Sequence, residues 1–341
     1  MLHFDSDYME TCHPSILEKI SEINLDKLSG YGTDEICSRA KEKIRKACDC
    51  KDAEIYFLTG GTQTNATVLD GLLQKYEGVL AAKSGHISVH EAGAIEAGGH
   101  KVIELPCENG KLSAKGIDDY CSSFFADENQ EHMVNPGVIY ISQPTEYGTL
   151  YSLSELNDIS KVCKKHNQKL FVDGARLAYA LGSSQNDVLL SDLAKTADAF
   201  YIGGTKCGAM CGEAVVFPKA NTIPHFFTII KQHGALLAKG WLLGIQFDTL
   251  FSDNLYFELG KNGVDQACEL ENIFKDKGYK TFIETPTNQK FIILENEKMN
   301  ELSKICTFSF WEKYDENHTV VRFATSWATT ISQIEDFRKI I

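Results

Sequence analysis

Apolar residues recur along the chain at two different spacings, and the switches between them delimit the elements. In "HPSILEKISEINLDKL", Ile16, Ile20, Ile23 and Leu28 return near the helical repeat, which predicts a first helix. "TDEICSRAKEKIRKAC" repeats the pattern behind Thr33, a residue type that caps helix starts, and predicts a second. Beyond it the runs shorten. "AEIYFLT", "GVLAA", "KVIEL", "GVIYIS", "KLFVD", "ADAFYI" and "EAVVF" are apolar and rich in β-branched residues, and helical segments such as "TQTNATVLDGLLQKY", the stretch around "HEAGAIEAGG" and "SLSELNDISKVCKKH" separate several of them. Strands without polar alternation are buried on both faces. The pattern therefore predicts an α/β architecture, a large domain with a mostly parallel seven-stranded sheet covered by helices. Ligands of such sheets sit beyond the carboxyl ends of the strands.

After Pro218 the pattern changes to long helical stretches, "HFFTIIKQHGALLAKGWLLGIQFDTLF" and "NLYFELGKNGVDQACELENIFKDKG". Short strands follow in "KFIIL", "CTFSF" and "TVVRFAT", and "ISQIEDFRKII" closes the chain as a helix. This predicts a smaller C-terminal α+β domain. The division is placed near residue 240, with an N-terminal arm and large domain over 1–240 and the small domain over 241–341.

Composition acts mainly by exclusion. With 34 Lys+Arg against 47 Asp+Glu the formal charge is −13, which disfavours a phosphate backbone as partner. A small anionic ligand stays compatible, because local N–H groups and one or two cations decide its binding. The 11 cysteines contain no C-x-x-C pair, which argues against a disulfide framework or a zinc site. "MLHFDSDYME" has no apolar leader core, and no run reaches the roughly 18 apolar residues of a membrane helix. A reduced, cytoplasmic protein without membrane or metal is expected.

Strand ends carry the chemistry. "FLTGGTQTN" sets Gly60, Gly61 and Thr62 between a strand and a helix, where unpaired backbone N–H groups can face an anion. "KLFVDGAR" ends a buried strand with Asp173, a carboxylate suited to a protonated ring nitrogen, followed by Arg176, whose planar fork suits a carboxylate or phosphate. "GGTKCGAM" places Lys206 behind the next strand; Gly203 and Gly204 are expected to turn the backbone and leave room beside an amine that a nearby cation makes nucleophilic. "SGHISVHEAGA" adds His86 near a helix start, with His90 and Glu91 after it, and "VVRFATSW" puts Arg322 on a strand. Each stretch alone has a plain structural reading as a turn, an ion pair or a loop lysine. Asp, Arg and Lys at successive strand ends, downstream of an anion site, are harder to explain that way.

Taken together, "SDY", "YGTDE", "GGTQTN", "GHISVHEAGA", "QPTEYGTLYS", "FVDGARLAYA", "GGTKCG", "KQHGALLAKG" and "VRFATSW" occur in an order that spans essentially the whole chain. The set resembles the threonine aldolase/β-eliminating lyase family of pyridoxal-phosphate enzymes with the aspartate-aminotransferase-like fold (fold type I), and within it the low-specificity L-threonine aldolases. The resemblance implies pyridoxal 5'-phosphate as cofactor and retro-aldol cleavage of L-threonine or L-allo-threonine to glycine and acetaldehyde. It implies that Lys206 bonds covalently to the cofactor, Asp173 pairs with its ring nitrogen, Gly61 and Thr62 hold its phosphate, and His86 stacks on its ring. It further implies that Ser6, Arg176 and Arg322 bind the substrate carboxylate and that Tyr31 lines the site. By the same resemblance, Lys231 is expected to reach the phosphate of a neighbouring subunit in a homodimer or homotetramer whose sites lie at the subunit interface.

Two positions depart from the family pattern. Glu146 follows Thr145 where many members have histidine, which leaves the base for the substrate hydroxyl open among His86, His132 and a phosphate-bound water. Tyr179 stands where asparagine is frequent. Cofactor residues do not fix which bond breaks, so another pyridoxal-phosphate β-eliminating lyase and a catalytically silent pyridoxal-phosphate-binding protein are the alternatives.

Overall fold

The computed structural model describes residues 1–341. After the two-residue β1 (Leu2–His3), seven strands build the main sheet: β2 (Glu54–Leu58), β3 (Glu77–Ala82), β4 (Val102–Leu105), β5 (Asn135–Ser142), β6 (Lys169–Asp173), β7 (Ala199–Gly203) and β8 (Glu213–Phe217). Their order is β2-β8-β7-β6-β5-β3-β4. Every pairing is parallel except the two made by β8, which runs antiparallel to β2 and β7.

Successive residues of a strand point to opposite faces, and here both faces are buried. Ile139, Ile141, Leu170, Val172, Phe200 and Ile202 feed one core, while Val138, Tyr140, Phe171, Ala199 and Tyr201 feed the other. The second set matters for function, because Tyr140, Phe171, Asp173 and Tyr201 share one side of three adjacent strands.

The C-terminal part carries an antiparallel sheet of β9 (Lys280–Ile283), β10 (Gln289–Glu295), β12 (Ser309–Lys313) and β13 (His318–Ala324) in the order β12-β13-β10-β9, while β11 (Cys306–Thr307) pairs in parallel with β1. Its core joins Phe4 from the chain start to Phe274, Ile292, Phe323 and Phe337. The helix Leu255–Asp276 contributes to two cores, with Tyr256 and Leu259 in the first and Leu270, Ile273 and Phe274 in the C-terminal one. No helix is long and apolar enough to cross a membrane.

Several predicted boundaries move, each for a local reason. The first helix is Pro14–Glu22, so Leu28 lies outside it. The second, Glu35–Ala47, is capped by Asp34, whose side chain accepts the Cys37 N–H at 2.8 Å, whereas the Thr33 hydroxyl turns back to the Gly30 carbonyl at 2.9 Å. The long stretch after Pro218 breaks into Phe226–Gln232 and Trp241–Leu250, with Gly234 at φ +64° ending the first piece. Gly93, at φ +70°, likewise divides the region around "HEAGAIEAGG" into His86–Val89 and Ala94–Ala97. The strands β1 and β9 were not anticipated from the pattern.

Candidate active site

Asp173, at the end of β6, is buried and fully engaged. Its Oδ2 accepts from the Tyr140 hydroxyl at 2.5 Å and from Asn65 Nδ2 at 3.0 Å, and its Oδ1 from the Tyr201 hydroxyl at 2.5 Å and the Ala175 N–H at 2.9 Å. Burial alone would push its pKa up, yet the positive field of His86 and these donors hold it below the ordinary carboxylate value. It is a fixed anion prepared for a cation.

The helix Gly61–Leu72 follows β2 and starts with no side-chain cap on Gly60. Its first N–H groups have no intrahelical partner and its dipole is positive there, an anion site by construction. Gly61 is close-fitted: a Cβ at that position would lie 3.2 Å from the Tyr201 hydroxyl oxygen.

Lys206 sits in the loop between β7 and β8, with its carbonyl accepting the Tyr179 hydroxyl at 2.5 Å, which gives the unusual Tyr179 a role in holding the loop. Burial, and next Arg176, lower the pKa of the amine against the opposing fields of Asp7, Glu146 and Asp173. The surrounding glycines serve a different purpose from the expected one. A Cβ on Gly203 would fall 2.2 Å from the Ala175 carbonyl oxygen, and one on Gly204 2.7 Å from the Gly212 carbonyl oxygen, so they let backbones cross instead of clearing space beside the amine. Cys207 faces away from the site into the core, with its thiol pushed up by burial.

His86 directs Nδ1 to Glu91 Oε1 at 2.7 Å, and the same oxygen accepts from Asn65 at 2.6 Å, so His86 and Asp173 belong to one network. Burial would lower the imidazole pKa, but Glu91, Glu146 and Asp173 overcome it and raise it. Arg176 is held in a buried two-point pair by Asp7, at 2.7 Å and 3.1 Å. Asp7 is in turn drawn down to about 2, since Arg176 and Lys206 outweigh its burial. Arg322 bonds Gln289, Ser309 and the Asp5 carbonyl, yet its Nε is buried without a partner, as is the Ser6 hydroxyl.

Two cavities meet at Lys206. The inner one, about 260 Å³, is lined by Lys206, Asp173, Gly61, Thr62, Tyr201 and His86 among others. The outer one, about 570 Å³, shares Lys206, His86, Glu146 and Arg176 and adds Arg322 and Trp311 from the antiparallel sheet. Most of the expected residues are thus brought together. Four line neither cavity: the Ser6 hydroxyl is buried outside both linings, Lys231 lies 4.8 Å over the Tyr31 ring, Tyr31 lines a separate pocket with Phe227, and His132 is the fourth. His132 sits in the short helix Gln130–His132, is exposed, and lines neither cavity.

Sequence reasoning missed Asn65, Tyr140 and Tyr201 around Asp173, the Asp7 partner of Arg176, and Glu213. The signal for the tyrosines was present, since a hydroxyl inside an otherwise apolar strand run needs a buried acceptor.

These residues fit pyridoxal phosphate. A helix start open to a phosphate, a buried carboxylate for the ring nitrogen and a buried amine of lowered pKa surround a single cavity. With the seven-stranded sheet, they define a pyridoxal-phosphate enzyme of the aspartate-aminotransferase-like fold. The chain belongs to the beta-eliminating lyase family, whose model matches residues 3–272. It is 42% identical to a threonine aldolase of Leishmania major of known structure, with a TM-score of 0.96 over 100% of this chain and 98% of that one. A low-specificity L-threonine aldolase of Pseudomonas aeruginosa is 28% identical over 99% of this chain and 96% of its own length. A histidinol-phosphate aminotransferase of Clostridium acetobutylicum shares the fold at 14% identity, with a TM-score of 0.74 over 99% of this chain and 97% of its own.

Proposed function

We infer that the chain is a pyridoxal-phosphate-dependent low-specificity L-threonine aldolase, an aldehyde-lyase that cleaves L-threonine and L-allo-threonine to glycine and acetaldehyde. The observation that carries the reading is the joining of the inner cavity, with Lys206, Asp173 and the open helix start, to an outer chamber bearing Arg176 and Arg322.

Bound pyridoxal phosphate supplies an aldehyde that condenses with amines and a conjugated ring that accepts the electron pair of a bond broken at the substrate Cα. Asp173 would hold the ring nitrogen in its protonated form, and His86 would lie against the ring. Arg176, Arg322 and the unpartnered Ser6 hydroxyl would grip the substrate carboxylate and so orient the bond that is to break. Lys206 would be the amine that holds the cofactor covalently.

Glu146 is the proton acceptor at the substrate hydroxyl in this reading. It lines both cavities, and its Oε1 accepts the Ser142 hydroxyl at 3.2 Å. A carboxylate there takes the hydroxyl proton as the carbonyl of acetaldehyde forms. Two protomers share each site: Tyr31 and Lys231 of one chain complete the phosphate pocket of the next, in keeping with their half-exposed pairing away from their own Lys206.

The test is incubation of the holoprotein with L-threonine and L-allo-threonine. Equal amounts of glycine and acetaldehyde are expected. Pyruvate and ammonia from serine or cysteine, without acetaldehyde from threonine, would replace this reading with that of another lyase of the family.

A further inference from the structure

Glu213 opens β8 opposite Gly203 of β7, is 3% exposed, and has no part in the reaction as described above. A carboxyl group is costly to bury unless it is hydrogen-bonded, and both of its partners lie on the segment that carries Lys206. Its Oε2 accepts the Gly204 N–H at 3.2 Å and its Oε1 the Thr205 hydroxyl at 2.8 Å. The Thr205 oxygen in turn accepts the Gly212 N–H at 3.1 Å, while the N–H groups of Gly204 and Thr205 both reach the Gly212 carbonyl, at 3.0 Å and 3.1 Å. The two ends of the loop are thereby locked together next to Lys206. Glu213 also lines the inner cavity beside that lysine.

We propose that Glu213 is the positioning residue of Lys206: its carboxyl group clamps the loop that presents the amine, and on ionising adds a counter-charge to those of Asp7, Glu146 and Asp173. The inference rests on Lys206 being the cofactor-bearing amine.

Asp7 and Glu146 also act on the amine, and Arg176 opposes them, but Asp7 bonds Arg176 and Asn288 and Glu146 bonds Ser142, so neither holds the loop that carries Lys206. Asp173 on β6 is committed to Tyr140, Tyr201, Asn65 and Ala175. Tyr201 on β7 and Tyr256 on the helix Leu255–Asp276 are neutral phenols with strongly raised pKa values. The β2 residue opposite Glu213 is Leu58, the helix start at Gly61 and Thr62 carries no side-chain charge, and the side chains of Trp241–Leu250 against this loop, Leu243, Gln246 and Phe247, are uncharged. Burial pushes Glu213 up to about 8, against the Thr205 hydrogen bond, Lys206 and the Gly204 N–H. Above that pH the carboxylate favours the charged form of the lysine nitrogen, and below it the neutral acid does not. The two groups titrate as a pair.

The experiment follows the visible absorbance of holoprotein reconstituted with pyridoxal phosphate over about pH 6 to 10. In Glu213→Gln this counter-charge is absent, so the spectral transition is expected roughly one pH unit below that of the wild type. Glu213→Asp keeps the charge and is expected to move the transition back toward the wild-type value. An unmoved transition in Glu213→Gln with cofactor retained would overturn the proposal. Should that variant not fold, Thr205→Val removes the hydroxyl donor and makes Glu213 harder to ionise. It is expected to lower the transition by a smaller amount, and no movement there overturns the proposal equally. A wild-type protein with no visible band, or an unchanged band in Lys206→Ala, has a different signature: it defeats the assignment of Lys206 itself.

Discussion

Asp173 shows how one side chain is specified by residues far from it in sequence. Four donors fix it as an anion, and its proposed task is to keep a ring nitrogen positive. Asp173→Asn removes the charge and keeps the shape, so turnover of threonine is expected to fall roughly a hundredfold or more, in line with losing one preorganised electrostatic group. The assay is kcat at matched cofactor content. Asp7 is the second case. Its folded pKa of about 2 lies below the ordinary 3.8, so its contribution to stability is present above the ordinary value and is lost as pH falls through about 2. Asp7→Ala leaves Arg176 buried without its partner, a change expected to cost about 3–5 kcal/mol. Urea unfolding at neutral pH reads that cost, and acid titration of the variant should show a flatter fall in stability between about pH 4 and 2.

At the scale of elements, close backbone crossings dominate. A Cβ on Gly174 would lie 1.9 Å from the Tyr201 carbonyl oxygen and one on Gly203 2.2 Å from that of Ala175, whereas one on Gly60 meets nothing within 4 Å. Gly174→Ala and Gly203→Ala are expected to abolish accumulation of folded protein. Gly60→Ser, which supplies a helix-capping oxygen at an extended backbone position, should leave the melting temperature within about 3 °C. The seven strands of the main sheet were legible because burial on both faces writes continuous apolar runs. β1 has only two residues, and β9, with Lys280 exposed and its other residues only half-buried, carries no continuous apolar run. The cap at Asp34 rather than Thr33, and the breaks at Gly93 and Gly234, are choices between adjacent candidates that only backbone geometry decides. The same holds for the site. Lys206, Asp173, Arg176 and His86 stood out as polar groups at strand or helix ends, but Asp7, Asn65, Tyr201 and Glu213 acquire meaning only through partners brought in by the fold.

For the whole molecule, Lys231 and Tyr31 pose the remaining question, because they pair with each other outside their own Lys206 cavity. If each serves the site of a second protomer, catalytic power is divided between chains, and the division can be read by mixing. Lys206→Ala protomers lack the amine but carry Lys231, and Lys231→Ala protomers carry the amine but lack the phosphate contact. In a mixed dimer one site receives Lys206 from one chain and Lys231 from the other and is intact, while its twin lacks both. Random re-association of equal amounts makes half of the dimers mixed, so roughly a quarter of the wild-type activity is expected, above the sum of the two variants alone. A mixture that shows only that sum would place Lys231 in the service of its own chain. The measurement needs variants exchanged at low concentration and recombined before assay at a cofactor concentration that loads the wild type but leaves Lys231→Ala alone largely inactive, since saturating cofactor would mask the lost phosphate contact.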